Sequence, residues 1–275
     1  MPGMNEMEVF DRAAVRRHRD RAAATVGRVA DLLRDAAERL LDRLDDVVPA
    51  ASGPRFATAL DVGGRGVVAP LLRARGIAVV SCDLSPAMAA LNGPSAVAAD
   101  EEFLPFAPAS FDLIVASLSL HWINDLPGAL IQLRRALRPD GLLLASLPAL
   151  GSLAELRRAL TEAEAALTGG ASPRVSPFPE LRDCAGLLQR AGFALPVADL
   201  EELRLLYADP MALLAELRAA GEANAVRLRD KRVPPAELFP AALAGLPSED
   251  GRVPVTLRLA MLTGWAPGAG ASRSP

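Results

Sequence analysis

Cysteine is scarce in this chain, and its two residues lie far apart. Cys82 falls in a predicted strand and Cys184 in a predicted helix, and no C-x-x-C pair occurs. A disulfide framework needs several cysteines at regular spacings, and a structural zinc site needs closely paired ligands. The sequence therefore predicts neither a disulfide-stabilised domain nor a zinc site, and we expect no bound metal.

Long apolar runs are also missing. No stretch approaches the roughly 20 apolar residues that span a membrane, and the N-terminus lacks the apolar core of a signal peptide. We therefore expect a cytoplasmic protein without a transmembrane segment.

Lysine is almost absent, since Lys231 is the only one among many arginines. We interpret this bias as a preference for GC-rich codons. The net charge is −3 at pH 7, which argues against a nucleic-acid-binding protein. Aromatic residues make up only 4% of the chain, but 51% of its residues are hydrophobic. The 275 residues are therefore enough for one large domain with a substantial core, or for a domain with an insertion.

The middle of the chain alternates apolar runs with amphipathic segments. Strands are predicted at 56–61, 78–83, 95–100, 111–117 and 142–147, and two more at 200–206 and 253–265. Strands that alternate with helices indicate a parallel sheet with helices on both faces. We therefore expect an α/β protein with a mostly parallel seven-stranded sheet.

The pattern divides the chain into four segments. Residues 1–50 are predicted to hold a long helix from Phe10 to about Val48, ended by Pro49, after a disordered start over residues 1–8. Residues 51–147 form the nucleotide-binding core, residues 148–266 a lid insertion and the rest of the same domain, and residues 267–275 a disordered tail. The first part of the insertion, residues 148–178, contains a predicted helix followed by Gly169, Gly170 and a proline-rich loop. Such a long segment after a core strand is typical of a lid over a site.

A glycine-rich turn joins the first predicted strand to a helix. Asp61 lies two residues before Gly63, which is followed by Gly64 and Gly66. Strand, glycine turn and helix begin a nucleotide-binding βαβ unit. Glycine allows positive φ and a close approach of the backbone to a ligand, and the first N–H groups of the helix can face an anion. An ordinary flexible loop can have the same composition, so the residues of the neighbouring strands are needed to distinguish a nucleotide-binding turn from such a loop.

Acidic residues end the next two strands. Asp83 follows the second apolar run and Asp100 follows the third. An acid about 20 residues after the glycines accepts hydrogen bonds from ribose hydroxyls in nucleotide-binding folds. Because the carboxyl ends of parallel strands share one edge of the sheet, these acids are predicted to lie beside the glycine turn.

Together these features resemble the class I S-adenosylmethionine-dependent methyltransferases, which have a D-x-G-x-G-x-G turn and acids after the second and third strands. The resemblance implies a Rossmann-like class I methyltransferase fold and S-adenosyl-L-methionine as cofactor. It implies that the amino-acid end of the cofactor is held by Asp61, Gly63, Gly64 and Gly66, and that the backbone near Ser117 contacts the methionine ammonium. It also implies that Asp83 accepts hydrogen bonds from the ribose hydroxyls and that Leu84 packs on the adenine face. Asp100, with Glu101 beside it, would accept a hydrogen bond from the adenine amino group. The turn of this chain departs from the family pattern at its last glycine: either one residue is missing or Val67 stands in that place, and either change would weaken cofactor binding.

Longer motifs narrow the resemblance. The strings at 99–106, 111–122 and 124–127 are similar to those of the family that contains the mitochondrial complex I assembly factor acting as a protein-arginine hydroxylase. Outside the core, residues 169–178 resemble its GG-x-SP-x-x-SPF loop, and residues 221–224 its GESN segment. The resemblance implies an enzyme whose protein partner is a subunit of respiratory complex I, in which it modifies an arginine.

Two alternatives remain open. The core is also similar to malonyl-acyl carrier protein O-methyltransferase of biotin synthesis, which would make an acyl carrier protein the partner. The shortened glycine turn favours a third possibility, a non-enzymatic assembly factor with a degenerate cofactor site.

Histidine is as rare as cysteine. His121 is the only histidine of the core region and follows the fourth strand, where it is a candidate catalytic base or substrate contact; the alternative is a local contact with Trp122. Oxygen chemistry at non-haem iron needs two histidines and a carboxylate. The chain has only His18 and His121, without an H-x-D or H-x-E pair, so the sequence contains no pattern for a non-haem iron site. We therefore leave the reaction open between methyl transfer and arginine hydroxylation.

The first predicted helix is strongly basic at its start. Five arginines and one histidine lie between Arg12 and Arg21. This pattern indicates either a solvated helix face or a docking surface for an acidic partner or for membrane headgroups, with peripheral attachment to the inner membrane. We expect Arg16, Arg17 and Arg19 to lie outside the cofactor crevice.

Overall fold

The computed structural model describes residues 8–47 and 56–268. The helices are α1 (Arg12–Ala22), α2 (Ala30–Val47), α3 (Val68–Ala74), α4 (Pro86–Ala90), α5 (Leu126–Ala136), α6 (Ala154–Thr168), α7 (Leu181–Arg190), α8 (Pro210–Ala219) and α9 (Leu238–Ala244). The strands are β1 (Thr58–Val62), β2 (Ala78–Asp83), β3 (Ala96–Ala98), β4 (Phe111–Ser117), β5 (Leu137–Pro148), β6 (Ala194–Tyr207) and β7 (Val253–Trp265). The helix stop predicted at Pro49, residues 1–7 of the predicted disordered start and residues 269–275 of the predicted tail lie outside the described residues.

The strands form one sheet in the order β3-β2-β1-β4-β5-β7-β6. Strands β1 to β5 pair in parallel, and β7 runs antiparallel to both β5 and β6. The predicted α/β class with a mostly parallel seven-stranded sheet is confirmed. Strand order reverses between β1 and β4, and the crevice at such a switch point is where α/β sheets bind ligands.

Register aligns the carboxyl ends of the first strands. Val62 of β1 pairs with Cys82 of β2, and Asp83 pairs with Ala98 of β3. The residues that follow these strands therefore meet at one edge of the sheet. Strand β3 is shorter than predicted and ends at Ala98, so Asp100 lies in the loop beyond it.

Both faces of the sheet are covered. Helices α2 and α3 pack on one face through residues such as Leu33, Leu40 and Leu72, and helices α5 and α7 pack on the other through Leu133 and Leu188. Central strands buried on both faces read as continuous apolar runs, which is why β2 and β4 were recognisable in the sequence.

The prediction of one long N-terminal helix from Phe10 to about Val48 is wrong. The structure has α1, a short 3₁₀ turn at Val26–Val29, and then α2. Helix α1 packs its apolar side near Trp122, whereas α2 buries Leu40 and Leu41 against the sheet. The two helices therefore place most of their buried apolar residues in two separate clusters.

The predicted lid insertion contains α6, which packs beside α9 and β7. Glu155 of α6 accepts a hydrogen bond from Thr256 Oγ1 at 2.6 Å, and Ser152 Oγ donates to the carbonyl of Arg258 at 2.7 Å. The first turn of α6 is therefore tied to the sheet. Within the described ranges, every helix is too short or too polar to cross a membrane.

Candidate functional site

The glycine turn after β1 is a tightly packed backbone element. Gly63 and Gly66 have φ values of 68° and 78°, in the left-handed region that favours glycine. A Cβ atom on Gly64 would lie 2.3 Å from Asp61 Oδ2, and one on Gly63 would lie 2.3 Å from Ser119 Cβ. Despite its shorter spacing, the turn therefore has the geometry that requires glycine.

Asp61 is fully buried at the end of β1. Its Oδ2 accepts a hydrogen bond from Ser81 Oγ at 3.3 Å, while its Oδ1 has no hydrogen-bond partner among the described residues. Burial raises the pKa of Asp61 to about 7. A cationic group at this position would hold the carboxylate in its charged form.

Asp83, at the end of β2, is paired with an arginine of α1. Arg19 Nη1 donates to Asp83 Oδ2 at 2.8 Å and to Glu101 Oε1 at 3.0 Å, and all three side chains are at most 1% exposed. Burial works against the charge of Arg19, but the carboxylates of Asp83 and Glu101 outweigh it and raise the arginine pKa. The expectation that Arg19 lies outside the cofactor crevice is therefore wrong.

Arg12 makes a second inward contact from α1. Its Nη2 donates to Asp100 Oδ1 at 2.5 Å and also to Glu101 Oε2, and its Nη1 donates to the carbonyl of Trp122 at 3.1 Å. The basic start of the chain is therefore divided: Arg12 and Arg19 face the acids, whereas Arg16 and other arginines of α1 are exposed.

The remaining predicted cofactor residues lie at the same edge. Leu84 packs against the cluster beneath α1, which includes Phe10 and Trp122. Ser117 ends β4 and is only partly buried, whereas Ser119 is fully buried and touches the glycine turn. The structure thus brings together the predicted acids and glycines, and it adds Ser119 to them.

A mostly apolar cavity of about 360 Å³ opens beside this edge. Its walls come from α2, α6, α8, α9, β6, β7 and the loop before α7. Residues on these walls include Leu33, Leu156, Leu160, Leu213, Leu214 and Phe239. Volumes of this size suit a small ligand or a side chain.

Glu222 anchors the polar end of this cavity. It accepts hydrogen bonds from Arg65 Nη2 at 2.5 Å and Trp122 Nε1 at 2.7 Å, and His121 Nε2 lies 2.7 Å from its Oε2. Burial would raise the pKa of Glu222, but the charges of His121 and Arg65 outweigh burial and lower it. Arg65 Nε and His121 Nδ1 are buried without hydrogen-bond partners among the described residues.

Two segments outside the core meet at the cavity. Asn224 Nδ2 donates to the carbonyl of Pro173 at 2.8 Å, which links the loop over 169–178 to the segment over 221–224. Arg174 in that loop pairs with Glu164 of α6 at 2.5 Å. The loop and α6, which the sequence predicts as a lid, therefore form one wall of the cavity.

Several site residues escaped the sequence analysis. Arg12, Arg19, Arg65, Ser119 and Glu222 were not predicted as site residues, although Ser119 and Glu222 lie within the strings at 111–122 and 221–224 that carry the resemblance. Helical spacing offered one signal, because Arg12 and Arg19 are seven residues apart and so lie on one side of α1.

The site suits a ligand with both an ammonium and a carboxylate. Asp61 Oδ1 is an acceptor without a partner, and Arg19 Nη2 and Ser119 Oγ are buried groups without partners among the described residues. The three groups surround a turn where only glycine fits. They match the charges of an amino-acid moiety such as the methionine end of the expected cofactor.

Metal-ligating side chains do not cluster in the part of the chain that the structure describes. No group of three or more His, Cys, Asp or Glu residues there is arranged to hold an ion. Cys82 and Cys184 are both buried and free.

Known proteins are similar to this chain in sequence. A family model described as a methyltransferase domain matches residues 30–196. The chain is 36% identical to human "Arginine-hydroxylase NDUFAF5, mitochondrial" over 94% of this chain and 77% of that protein, and 35% identical to its Danio rerio counterpart over 95% and 84%. It is also 34% identical to the malonyl-[acyl-carrier protein] O-methyltransferase of Laribacter hongkongensis, over 97% of this chain and 93% of that protein. The two kinds of relative therefore match this chain at nearly equal identity.

Solved structures share the fold at low identity. A putative methyltransferase from Bacillus halodurans superposes with a TM-score of 0.54 at 18% identity, covering 82% of this chain and 98% of that one. The YcgJ protein of Bacillus subtilis gives a TM-score of 0.55 at 14% identity, covering 84% and 100%.

Three observations point to the same family: the sheet topology, the glycine turn with its flanking acids, and the relatives that match nearly the whole chain. The chain is an enzyme of the class I S-adenosylmethionine-dependent methyltransferase family.

Proposed function

We propose that the chain binds S-adenosyl-L-methionine at the glycine turn and modifies an arginine of a respiratory complex I subunit. One observation carries the second half of this proposal. The loop over 169–178 and the segment over 221–224, on which the resemblance to the complex I factor depends, meet through Asn224 and Pro173 at the wall of the cavity. Features specific to that family therefore surround the acceptor side of the site.

The proposed cofactor contacts use the acids and glycines already described. Asp61 would hold the ammonium, Asp83 the ribose hydroxyls, and Asp100 with Glu101 the adenine amino group, with Leu84 against the ring. The backbone of Gly63, Gly64 and Gly66 would line the amino-acid end, close to Ser117 and Ser119. When bound, this cofactor supplies an electrophilic methyl group.

His121 is the proposed base. Its Nε2 faces the Glu222 carboxylate, an arrangement that orients the ring, and its Nδ1 has no partner among the described residues. In a methyl transfer, a lone pair of the acceptor forms the new bond to carbon while the carbon–sulfur bond breaks, and an acceptor that is not already an anion, such as a guanidinium, must also lose a proton. Removal of that proton is the proposed role of His121.

Arginines on the outer side of α1 are the proposed contact for the protein partner. Arg16 and Arg17 are exposed, while Arg12 and Arg19 are paired inward. Opposite charge raises the encounter rate with an acidic partner. Reversing the charges of Arg16 and Arg17 together should weaken partner binding and leave cofactor affinity unchanged.

A second candidate is O-methylation of a malonyl-acyl carrier protein-like acceptor. Arg65 favours it, because this buried cation lies at the end of an apolar cavity and its Nε lacks an acceptor. An acyl chain that ends in a carboxylate would match both features. A carboxylate acceptor is already deprotonated and needs no base, so its methylation should survive His121→Gln, whereas methylation of an arginine should not.

The deciding experiment uses a strain that lacks the gene. Native-gel activity should reveal loss of complex I, and mass spectrometry of the complex from the complemented strain should reveal one modified arginine, with an added oxygen or an added methyl group. Normal complex I would overturn the proposal, and a biotin requirement relieved by the gene would support the second candidate. Loss of complex I without any modified arginine, together with no cofactor binding by calorimetry, would identify a non-enzymatic assembly factor.

A further inference from the structure

Arg19 closes the acidic part of the candidate cofactor site. Its guanidinium contacts Asp83 at 2.8 Å and Glu101 at 3.0 Å, and all three side chains are at most 1% exposed. The carboxylate expected to accept ribose hydroxyls is therefore already engaged and lies out of reach of solvent. A nucleoside can reach Asp83 only after Arg19 changes partners.

The same guanidinium also reaches the glycine turn. Arg19 Nη1 lies 3.4 Å from the position that a Cβ on Gly63 would occupy. Its Nη2 is buried and has no hydrogen-bond partner among the described residues. A buried donor without an acceptor is unfavourable, so this group can take an acceptor beside the turn.

Both acids keep other partners if Arg19 leaves them. The backbone N–H of Ser85 donates to Asp83 Oδ1 at 2.7 Å, and Arg12 remains paired with Glu101. Breaking the Arg19 contacts therefore leaves neither carboxylate without a donor. Ribose hydroxyls are neutral donors that can replace the guanidinium on Asp83.

We propose that Arg19 is a cofactor-binding residue that exchanges partners, leaving Asp83 and Glu101 for the carboxylate of the cofactor's amino-acid moiety. This inference rests on the proposed cofactor. Guanidinium and carboxylate are planar and pair through two parallel hydrogen bonds, so the exchange keeps the buried cation matched. Nucleosides without that carboxylate must break the Arg19–Asp83 pair with no replacement for the arginine.

The consequence is selectivity for the carboxylate-bearing ligand. Arg19 holds the site closed against nucleosides that carry an adenine and ribose alone. A ligand that offers an anion at the glycine turn releases Asp83, because it gives Arg19 a partner of equal charge. Recognition of the carboxylate and access to the ribose-binding acid are thus coupled through one side chain.

Calorimetry with two ligands tests the exchange. S-adenosylmethionine and its decarboxylated form differ only in the carboxylate, and each would be titrated into the parent protein, Arg19→Met and Arg17→Met. Arg17 lies exposed on the same helix and is the matched control. We expect the parent and Arg17→Met to prefer S-adenosylmethionine by at least tenfold, and Arg19→Met to bind both ligands with equal affinity.

Arg19→Lys guards against a folding defect. Lysine keeps the charge opposite Asp83 but loses the two-point contact, so we expect a folded protein by circular dichroism with a reduced preference for S-adenosylmethionine. An Arg19→Lys variant that keeps the full preference would overturn the exchange, as would an unchanged preference in Arg19→Met. A parent protein that binds neither ligand would instead overturn the cofactor proposal, and this inference with it.

Discussion

Replacing Glu222 by glutamine tests the polar cluster at the end of the cavity. The two side chains have nearly the same shape, but glutamine carries no negative charge. Arg65, whose side chain is 4% exposed, would keep its charge but would have only neutral acceptors, namely the amide oxygen of the new glutamine and the carbonyl of Leu118 at 2.8 Å. The substitution therefore leaves a buried cation without its counter-ion.

The size of the effect follows from burial. Removing one partner of a buried ion pair costs about 3–5 kcal/mol. The Glu222 side chain is 18% exposed, which places the loss near the lower end of this range, at about 3 kcal/mol. For a protein of this size each kcal/mol shifts the melting temperature by roughly 2–4 °C, so we expect a decrease of about 6–12 °C.

Thermal and urea unfolding would measure this loss of stability in four proteins: the parent, Glu222→Gln, Arg65→Met and the double variant. Because the double variant removes the buried charge as well, its loss should be smaller than the sum of the single losses by more than about 1 kcal/mol. Glu249→Gln is the control, since the Glu249–Arg204 pair is more than half exposed and should contribute less than about 1 kcal/mol.

Additive losses at Glu222 and Arg65, or a melting temperature within 2 °C of the parent for Glu222→Gln, would refute this reasoning. The pH dependence gives a second check. The pKa of Glu222 is lowered in the folded protein, so its contribution is present above the ordinary value of 4.5 and is lost as the pH falls through the lowered value. The difference between parent and variant should therefore shrink in acid.

Three further substitutions probe the cofactor edge. Gly64→Ala should lower stability and abolish cofactor binding, because its Cβ would lie 2.3 Å from Asp61 Oδ2 and 2.9 Å from Asn92 Oδ1; calorimetry with unchanged affinity would contradict the packing. Asp61→Asn should gain stability relative to the parent as the pH rises from 4 to 7, by at most about 4 kcal/mol. The reason is that the pKa of Asp61 is raised in the folded protein, so that the folded parent retains a proton that its unfolded chain has already lost. A pH-independent difference in urea unfolding would argue against a buried titrating carboxyl. Asp83→Ala should weaken S-adenosylmethionine binding by about 1–3 kcal/mol through loss of a charged acceptor, and undiminished affinity would remove Asp83 from the site.

The local sequence was sufficient to predict the central strands of the sheet. The predicted bounds of β2, β4 and β7 agree with the structure, because buried strands are apolar runs with turn residues at their ends. The glycine turn and the acids after β2 and β3 were likewise visible, since each depends on residues a few positions apart. Sequence motifs also identified the family, which the relatives confirm.

Local sequence did not reveal which arginines are buried. Arg12 and Arg19 belong to the same basic run as Arg16 and Arg17, and only packing of α1 on the sheet edge separates the two inward cations from the exposed ones. Helical spacing contained part of the answer, because Val15 lies between Arg12 and Arg19 on the apolar side of the helix.

The polar end of the cavity depended wholly on tertiary structure. Arg65 and Glu222 are 157 residues apart in the chain, and their contact forms only when the loop after α8 folds back over the glycine turn. The short-range patterns of helices and strands contain no information about such a pair. Its existence is decided by the packing of the elements, because a buried guanidinium must find a carboxylate somewhere in the folded chain.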